Sequence, residues 1–213
     1  MKQKNRTDNP QQNGMTTPHR RRRVGRICCA VCMALLSILA LSGCDADNEY
    51  DISHRCFFTF DTSLHNTSLV RNALNPLASG TFVLVYTTQK SGVTVVNAQL
   101  SDGKTTSQDN ITTAIEKDYT AYILGTNNGL IIGYSNLGNG LFAFDRQCPN
   151  CISDYNRYNY PLHWDNNGQW VKCSQCQRTY DLNNFGVIIH GEKGSKLIRY
   201  KAFFDGSRLT VRN

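Results

Sequence analysis

Two short cysteine motifs constrain this chain more than any other feature of its sequence. We call Cys148-Pro-Asn-Cys151 the first knuckle and Cys173-Ser-Gln-Cys176 the second knuckle. Two cysteines three residues apart turn both sulfurs toward one point when the chain folds tightly between them, and two such motifs complete a cage of four thiolates. The spacing therefore predicts a metal site, holding either zinc or iron, the latter as a single ion or as a cluster.

Two strained disulfides, or a redox-active dithiol, are the alternative explanation of the same spacing. A redox dithiol needs only one C-x-x-C motif, and that motif usually opens a helix in a β-α-β unit. Two motifs surrounded by strand-like sequence are more typical of a metal cage.

The sequence around the knuckles is typical of short β-strands. Residues 129–148 contain two apolar runs separated by an Asn/Gly turn, which predicts a hairpin that delivers Cys148 from the end of a strand. Residues 177–211 continue as strand-like runs interrupted by Gly and Asn. Further upstream we predict strands at residues 56–61, 81–86, 92–100 and 119–124, a short helical or turn-rich connection at 66–80, and a polar loop at 101–110. The run Thr81–Tyr86 is apolar throughout, which indicates a strand covered on both faces.

A distinctive pattern of residues follows the second knuckle. The residues are Tyr180-Asp181, Gly186, Gly191 and a Leu197-x-x-Tyr200 strand. Over roughly residues 124–211 this pattern resembles the Rieske iron–sulfur domain, with both cluster histidines replaced by cysteine. Cys151 lies one residue later than the first-loop histidine, Cys176 stands at the second histidine, and the turn Gly191–Gly194 has no proline.

The resemblance implies an all-β fold and a [2Fe-2S] cluster. We expect a Rieske-like antiparallel β domain at 56–213, carrying a small rubredoxin-like or zinc-ribbon-like metal-binding lobe at about 143–190. In a Rieske-like arrangement Cys148 and Cys173 bind one iron, and Cys151 and Cys176 bind the other. His163 and His190 are candidates for hydrogen-bond donors close to the metal ligands.

Sulfur–sulfur distances distinguish the possible centres. A single tetrahedral ion with bonds of about 2.3 Å places every pair of sulfurs about 3.7 Å apart. A two-iron cluster separates sulfurs on different irons by roughly 5–6 Å, because two metals lie between them. The knuckle spacing favours the single ion, since two C-x-x-C motifs suit a rubredoxin or zinc-ribbon site without remodelling.

The N-terminal region is typical of a secreted lipoprotein. Residues 1–43 contain an arginine run followed by the apolar segment Ile27–Leu41, which is a signal-peptide pattern too short for a membrane span of about 20 residues. Leu41-Ser-Gly-Cys44 resembles a bacterial lipobox, which implies a covalent lipid on Cys44 and anchoring to an envelope membrane. Residues 44–55 are predicted to be an acidic tether, which is either a solvated spacer or a signal similar to the export tags of some Bacteroidetes lipoproteins. We expect the outer membrane or the cell surface.

The net charge of +7 is concentrated in the signal region. Residues 1–43 carry eight Lys/Arg and one Asp, which leaves 15 basic and 15 acidic residues in the body. A neutral body gives no basic patch for nucleic acid, and no motif identifies a small-molecule substrate. Beyond the knuckles and Cys44, the body holds one cysteine, Cys56, whose apolar neighbours indicate a buried small hydrophobe.

Two functions fit this sequence. An iron centre predicts an electron-transfer component of the envelope with a redox partner protein. A zinc centre predicts a structural site in a non-catalytic binding or scaffold lipoprotein. Both are favoured over a stand-alone catalyst.

Overall fold

A computed structural model of the protein describes residues 49–118 and 122–213. The predicted signal region 1–43, the predicted lipidation site Cys44 and the start of the predicted tether lie outside the described residues. Within the described residues, no helix is both long enough and apolar enough to span a membrane.

The described residues form twelve strands, three short α-helices and two 3-10 turns, so the all-β prediction is confirmed. The strands are β1 Phe57–Asp61, β2 Phe82–Lys90, β3 Val93–Leu100, β4 Thr106–Asn110, β5 Leu130–Tyr134, β6 Leu141–Asp145, β7 Leu162–Asp165, β8 Trp170–Cys173, β9 Thr179–Asp181, β10 Val187–His190, β11 Arg199–Phe204 and β12 Arg208–Arg212. The helices are α1 Val70–Ala73, α2 Ala114–Asp118 and α3 Pro149–Tyr155, and the 3-10 turns are Pro76–Ala78 and Asn166–Gly168.

Eight strands form one antiparallel sheet in the order β1-β12-β11-β6-β5-β2-β3-β4. The first strand pairs with the last, from Phe57 opposite Arg212 to Asp61 opposite Arg208, so the two ends of the domain are tied together. Phe58 of β1 and Val96 of β3 belong to the same buried cluster although their strands lie far apart in the sheet. The sheet therefore curls around a core on one face.

The central strands are apolar on both faces because each face covers a different core. In β2, Val83 and Val85 join the cluster inside the curled sheet, whereas Phe82 and Leu84 point to a second cluster on the opposite face. Side chains alternate across a strand, so one apolar run supplies both cores. The prediction that this run is covered on both faces is confirmed.

The second cluster joins the large sheet to a four-stranded antiparallel sheet in the order β10-β9-β8-β7. We call this sheet, together with α3, the lobe; it agrees with the predicted metal-binding lobe. Phe82, Ile131 and Phe144 of the large sheet are at most 2% exposed beneath it. Fully burying a large apolar side chain contributes about 1.5–3 kcal/mol, so these three residues alone fix the lobe firmly on the sheet.

Two predicted segments differ from the structure. Residues 101–110 were expected to be a loop, but Thr106–Asn110 form β4, which pairs with β3 at the edge of the sheet. An edge strand has one solvent-facing side and accepts polar residues. A polar strand of this kind is not recognised when strands are predicted from apolar runs. In the predicted strand 119–124, residues 119–121 lie outside the described residues, and Ile123 forms an isolated bridge with Phe57.

The second part of the predicted tether lies on the body. We call residues 49–55 the strap. The backbone N–H of Asp51 donates to the Arg199 carbonyl at 2.8 Å, Glu49 forms an ion pair with Arg199, and the Arg199 guanidinium stacks on Tyr50. Residues 49–55, predicted to be part of a tether, are therefore held on the body by the start of the strap.

Candidate metal centre

The first knuckle joins β6 to α3. Cys148 stands at the N-cap position in an extended conformation, and Pro149 occupies the first helical position. Proline suits this position because its missing N–H has no helical partner there. Cys151 lies one turn along, so its sulfur returns to the same side as that of Cys148. The sequence predicted only strands around the cage, and this helix is a correction to that prediction.

A buried polar network fixes the chain just before the first knuckle. The Asp145 carboxylate accepts hydrogen bonds from the Gln147 backbone N–H at 2.8 Å and from the Tyr200 hydroxyl at 2.8 Å. The Gln147 side chain in turn accepts from the Tyr160 N–H at 3.1 Å, and the Tyr160 carbonyl accepts from the Cys148 N–H at 3.1 Å. Burial raises the pKa of Asp145, but each oxygen has donors, so the carboxylate anchors the loop.

The second knuckle is the turn between β8 and β9. Cys173 is the last residue of β8, and its N–H and carbonyl bond to Arg178 and Gln177 at 3.0 Å each. Gln177 has a φ of +60°, the left-handed conformation that a chain needs to reverse within so few residues. This turn carries Cys176 back toward Cys173.

The two knuckles bring all four predicted ligands together. The Sγ atoms of Cys148, Cys151, Cys173 and Cys176 all lie within 4.8 Å of one another. Two of the distances, Cys148 to Cys176 and Cys151 to Cys173, are 3.6 Å. Three of the residues are fully buried, and Cys176 is half-buried at the edge of the lobe. This arrangement can bind a metal ion.

The disulfide alternative is not what the structure shows. All five cysteines of the described part of the chain are free thiols. Cys56 is separate from the cage; it is buried in the core, and burial raises the pKa of its thiol to about 12.

The pKa values of the cage thiols depend on one another. The neighbouring Cys148 thiol lowers the pKa of Cys173, helped by the backbone N–H groups of Cys176 and Gln175. The same interaction raises the pKa of Cys148, and burial raises that of Cys151 to about 12. Four thiolates this close together repel one another, so the fully deprotonated cage needs a cation at its centre.

Tyr180 donates a hydrogen bond to the cage. Its hydroxyl oxygen lies 3.3 Å from Cys148 Sγ and accepts a bond from Asn150 Nδ2 at 2.8 Å. Because Asn150 supplies that proton, the Tyr180 proton is left to point at the sulfur. Burial raises the pKa of Tyr180, which keeps the hydroxyl protonated as a donor.

Asn150 is itself held by the loop before β11. Its side chain accepts from the Ser195 N–H and donates to the Ser195 carbonyl, both at 2.8 Å. The loop comes this close because Gly194 has no side chain; a Cβ there would lie 2.1 Å from Asn150 Oδ1. Ser195, Asn150, Tyr180 and Cys148 therefore form one chain of contacts.

A buried cation also lies against the cage. Arg178 is 5% exposed, and the neighbouring Cys176 sulfur raises the pKa of its guanidinium. The same group forms an ion pair with Asp154 at 3.0 Å and donates to the Glu192 carbonyl at 3.1 Å. The positive charge of Arg178 offsets part of the negative charge of a metal–thiolate site.

The two predicted histidine donors lie elsewhere. His163 is exposed on β7 opposite Lys172, and exposed His190 meets the edge of the Trp170 ring at 5.6 Å between centroids. Among the described residues, neither donates a hydrogen bond to a cage sulfur. Tyr180 donates to Cys148 instead, with Asn150 holding its hydroxyl, and Arg178 supplies a nearby positive charge. None of the three was predicted, although Tyr180 is part of the family pattern and Asn150 lies inside the first knuckle.

Comparison with protein-family models and with curated proteins gives no match to this chain.

Proposed function

We propose that Cys148, Cys151, Cys173 and Cys176 hold one tetrahedral iron ion, and that the protein is an electron carrier of the cell envelope. The proposal rests on the size of the cage. No two of its sulfur atoms are more than 4.8 Å apart, whereas sulfurs on different irons of a two-iron cluster are expected to be roughly 5–6 Å apart. The two distances of 3.6 Å agree with the edge of about 3.7 Å around a single ion.

The surroundings of the cage support electron transfer. Iron held by four thiolates supplies a one-electron oxidation and reduction without a change of ligands. Tyr180 donates to Cys148, and the positive charge of Arg178 lies near Cys176, so both groups stabilise the extra negative charge of the reduced state. Half-buried Cys176 reaches the lobe surface, where a redox partner protein can approach the site.

A structural zinc site is the second candidate. It is favoured by the complete burial of Cys148, Cys151 and Cys173 and by a closed set of four ligands with no open position. In that case the protein is a binding or scaffold module whose lobe is stabilised by the metal.

Metal analysis and visible spectroscopy of the purified protein distinguish these functions. We expect one iron per chain, no inorganic sulfide, and iron–thiolate charge-transfer bands that bleach on reduction. One zinc per colourless chain would establish the second candidate. Two irons with two sulfides would contradict the single-ion site and favour the cluster that the Rieske resemblance implies.

The Rieske resemblance remains a proposal about ancestry. It is supported by the contact of Tyr180 with Cys148 and by the close approach of the Gly191–Gly194 turn to Asn150 beside the cage. We propose that this domain keeps a Rieske-like framework around a cage of different ligands.

The Tyr180 hydroxyl provides a test of electron transfer. Tyr180→Phe removes the hydrogen bond to Cys148, so we expect the reduction potential of the iron form to fall by about 30–60 mV, since a bond worth roughly 1 kcal/mol corresponds to about 40 mV for one electron. Tyr155→Phe is the matched control, because Tyr155 is half-exposed on the same helix as Cys151. Protein-film voltammetry measures both variants, and equal potentials would contradict a role for Tyr180 in tuning the site.

We also propose that the protein is anchored to an envelope membrane through lipid on Cys44. The sequence Leu41-Ser-Gly-Cys44 after an apolar segment supports this location. Cys44→Ser is expected to prevent lipidation and release the domain from washed membranes, because the neutral body gives no second attachment. Fractionation with labelled palmitate checks this, with Cys56→Ala as the control. A Cys44→Ser protein that stays in the membrane fraction after a salt wash would argue against the anchor.

A further inference from the structure

A pocket of about 540 Å³ opens at one end of the curled sheet. Three of the residues that line it stand at strand ends: Thr62 follows β1, Thr81 precedes β2, and Phe204 is the last residue of β11. Helix α1 and the 3-10 turn that follows it supply most of the remaining wall. Ligand sites are common in the mouths of β-barrels, and the volume lies within the range of about 300–1,000 Å³ that is typical of small-molecule sites.

Hydrogen bonds within the fold hold the wall of the pocket in place. The Thr62 N–H and the Thr62 hydroxyl both donate to the Ser207 carbonyl at 2.8 Å, which ties the end of β1 to the turn between β11 and β12. On the other side, Asn75 Oδ1 accepts from the Leu77 N–H at 3.0 Å and so starts the 3-10 turn. The pocket is therefore formed before any ligand arrives.

Several polar side chains of the wall are accessible from the pocket. Arg71, Asn72 and Asn75 are exposed, and Thr81 is partly exposed. Within the described part of the chain, the side chains of Asn72 and Thr81 form no hydrogen bond, and Asn75 uses only its Oδ1. Amides and hydroxyls both donate and accept, so this group of side chains can bind the hydroxyl groups of a ligand.

Arg71 supplies the charge of the pocket. Its Nη1 donates to the Thr62 carbonyl at 2.9 Å, which orients the guanidinium. A guanidinium carries five N–H donors, so most of them are left for a ligand. None of the described residues that line the pocket is acidic. Asp61 and Asp205, which adjoin the pocket in sequence, each accept the N–H of the residue two positions later, at 3.0 and 2.9 Å. The pocket therefore offers its positive charge to an external anion.

The same wall also presents apolar surface. Pro76 is exposed, and Ala78 and Phe204 are partly exposed. Water satisfies the polar side chains but leaves these apolar surfaces wet, which favours a ligand with both kinds of surface. A sugar ring carries hydroxyl groups around its edge and C–H groups on its faces, so it matches this wall.

We propose that this pocket binds an acidic sugar. The carboxylate accepts hydrogen bonds from Arg71, since a guanidinium matches the geometry of a carboxylate. The sugar hydroxyls bond to Asn72, Asn75 and Thr81, and one face of the ring packs on Phe204. The site uses no residue of the metal cage and goes beyond the proposed electron transfer.

Glucuronate is the probe, with glucose as its neutral counterpart and acetate as an anion without a sugar ring. Each is titrated calorimetrically into the purified full chain, and the side-chain amide signals are followed by NMR, with Asn72→Ala to assign those of Asn72. We expect saturable glucuronate binding and a shift of the Asn72 signals. Glucose should bind at least about tenfold more weakly, which is the effect of losing one charged hydrogen bond. Acetate should also bind at least about tenfold more weakly, because it lacks the hydroxyl groups.

Two variants separate the roles of the charge and the amide. Arg71→Gln is expected to weaken glucuronate binding at least about tenfold and to leave glucose binding unchanged. Asn72→Ala is expected to weaken both sugars by about three- to tenfold, the effect of one neutral hydrogen bond. Asn184→Ala is the matched control, because Asn184 is also exposed but lies between β9 and β10 on the lobe. Asn72 is exposed and its side chain has no partner in the described part of the fold, so its replacement tests the site without unfolding the protein.

Several results would overturn the proposal. These are no saturable glucuronate binding by the folded native protein, glucose or acetate binding as tightly as glucuronate, or equal glucuronate binding by the native protein and Asn72→Ala. The metal content and spectrum are measured on the same samples, so a failure of this site is distinguishable from a failure of the metal site.

Discussion

Replacing Cys173 by serine is expected to abolish stoichiometric metal binding and to lower the melting temperature by about 8–16 °C. Cys173 is fully buried, and its sulfur lies 3.6 Å from that of Cys151. A hydroxyl is a poor ligand for a metal that prefers thiolates, so three ligands remain around a site that needs four. Metal bound 1,000-fold above its dissociation constant stabilises the fold by about 4 kcal/mol, and 1 kcal/mol corresponds to roughly 2–4 °C in a domain of this size.

Cys56→Ala is the control for this loss. Cys56 is equally buried but lies in the core of the large sheet, away from the cage. The control should therefore keep one metal per chain, while its melting temperature falls only by the cost of a small cavity. Metal analysis and calorimetry measure both variants. A Cys173→Ser protein with a full complement of metal would show that the four sulfurs do not act as one site.

The cage was predictable because its determinants are local. Two cysteines three residues apart are brought together by a single turn, so each knuckle is specified by its own sequence. Several strands were predictable for the same reason, because β2, β3, β5 and β6 each coincide with an apolar run between turn residues. The spacing alone did not predict the conformation of the first knuckle. Pro149 occupies the first helical position there, so the knuckle begins a helix.

The long-range features were out of reach of the sequence. The pairing of β1 with β12 joins the two ends of the domain, and no local signal records it. The contact of Asn150 with Ser195 spans 45 residues and depends on a loop that only the folded sheet places there. Histidines were sought near the metal because of their chemistry, whereas the fold places a tyrosine and an arginine against the sulfurs.

Gly194→Ala is expected to destabilise the protein by about 2–4 kcal/mol and to weaken metal binding. The added Cβ would lie 2.1 Å from Asn150 Oδ1, so the loop or the Asn150 side chain must move. Either movement breaks the bonds between Asn150 and Ser195 and releases Tyr180 from its donor. Overpacking costs about 1–3 kcal/mol and each lost hydrogen bond about 1 kcal/mol. Loss of groups that orient the ligands typically lowers metal affinity 10- to 100-fold.

A double-mutant cycle separates this collision from a general effect of alanine in the loop. Asn150→Ala alone loses the same hydrogen bonds and should also cost about 2–4 kcal/mol. In the Asn150→Ala background the collision is gone, so adding Gly194→Ala should cost less than about 1 kcal/mol, and the coupling energy should be about 2–3 kcal/mol. Urea unfolding of the metal-loaded proteins measures all four corners. If the two losses of unfolding free energy simply add, the predicted contact between residues 150 and 194 is contradicted, because substitutions at independent sites show no coupling energy.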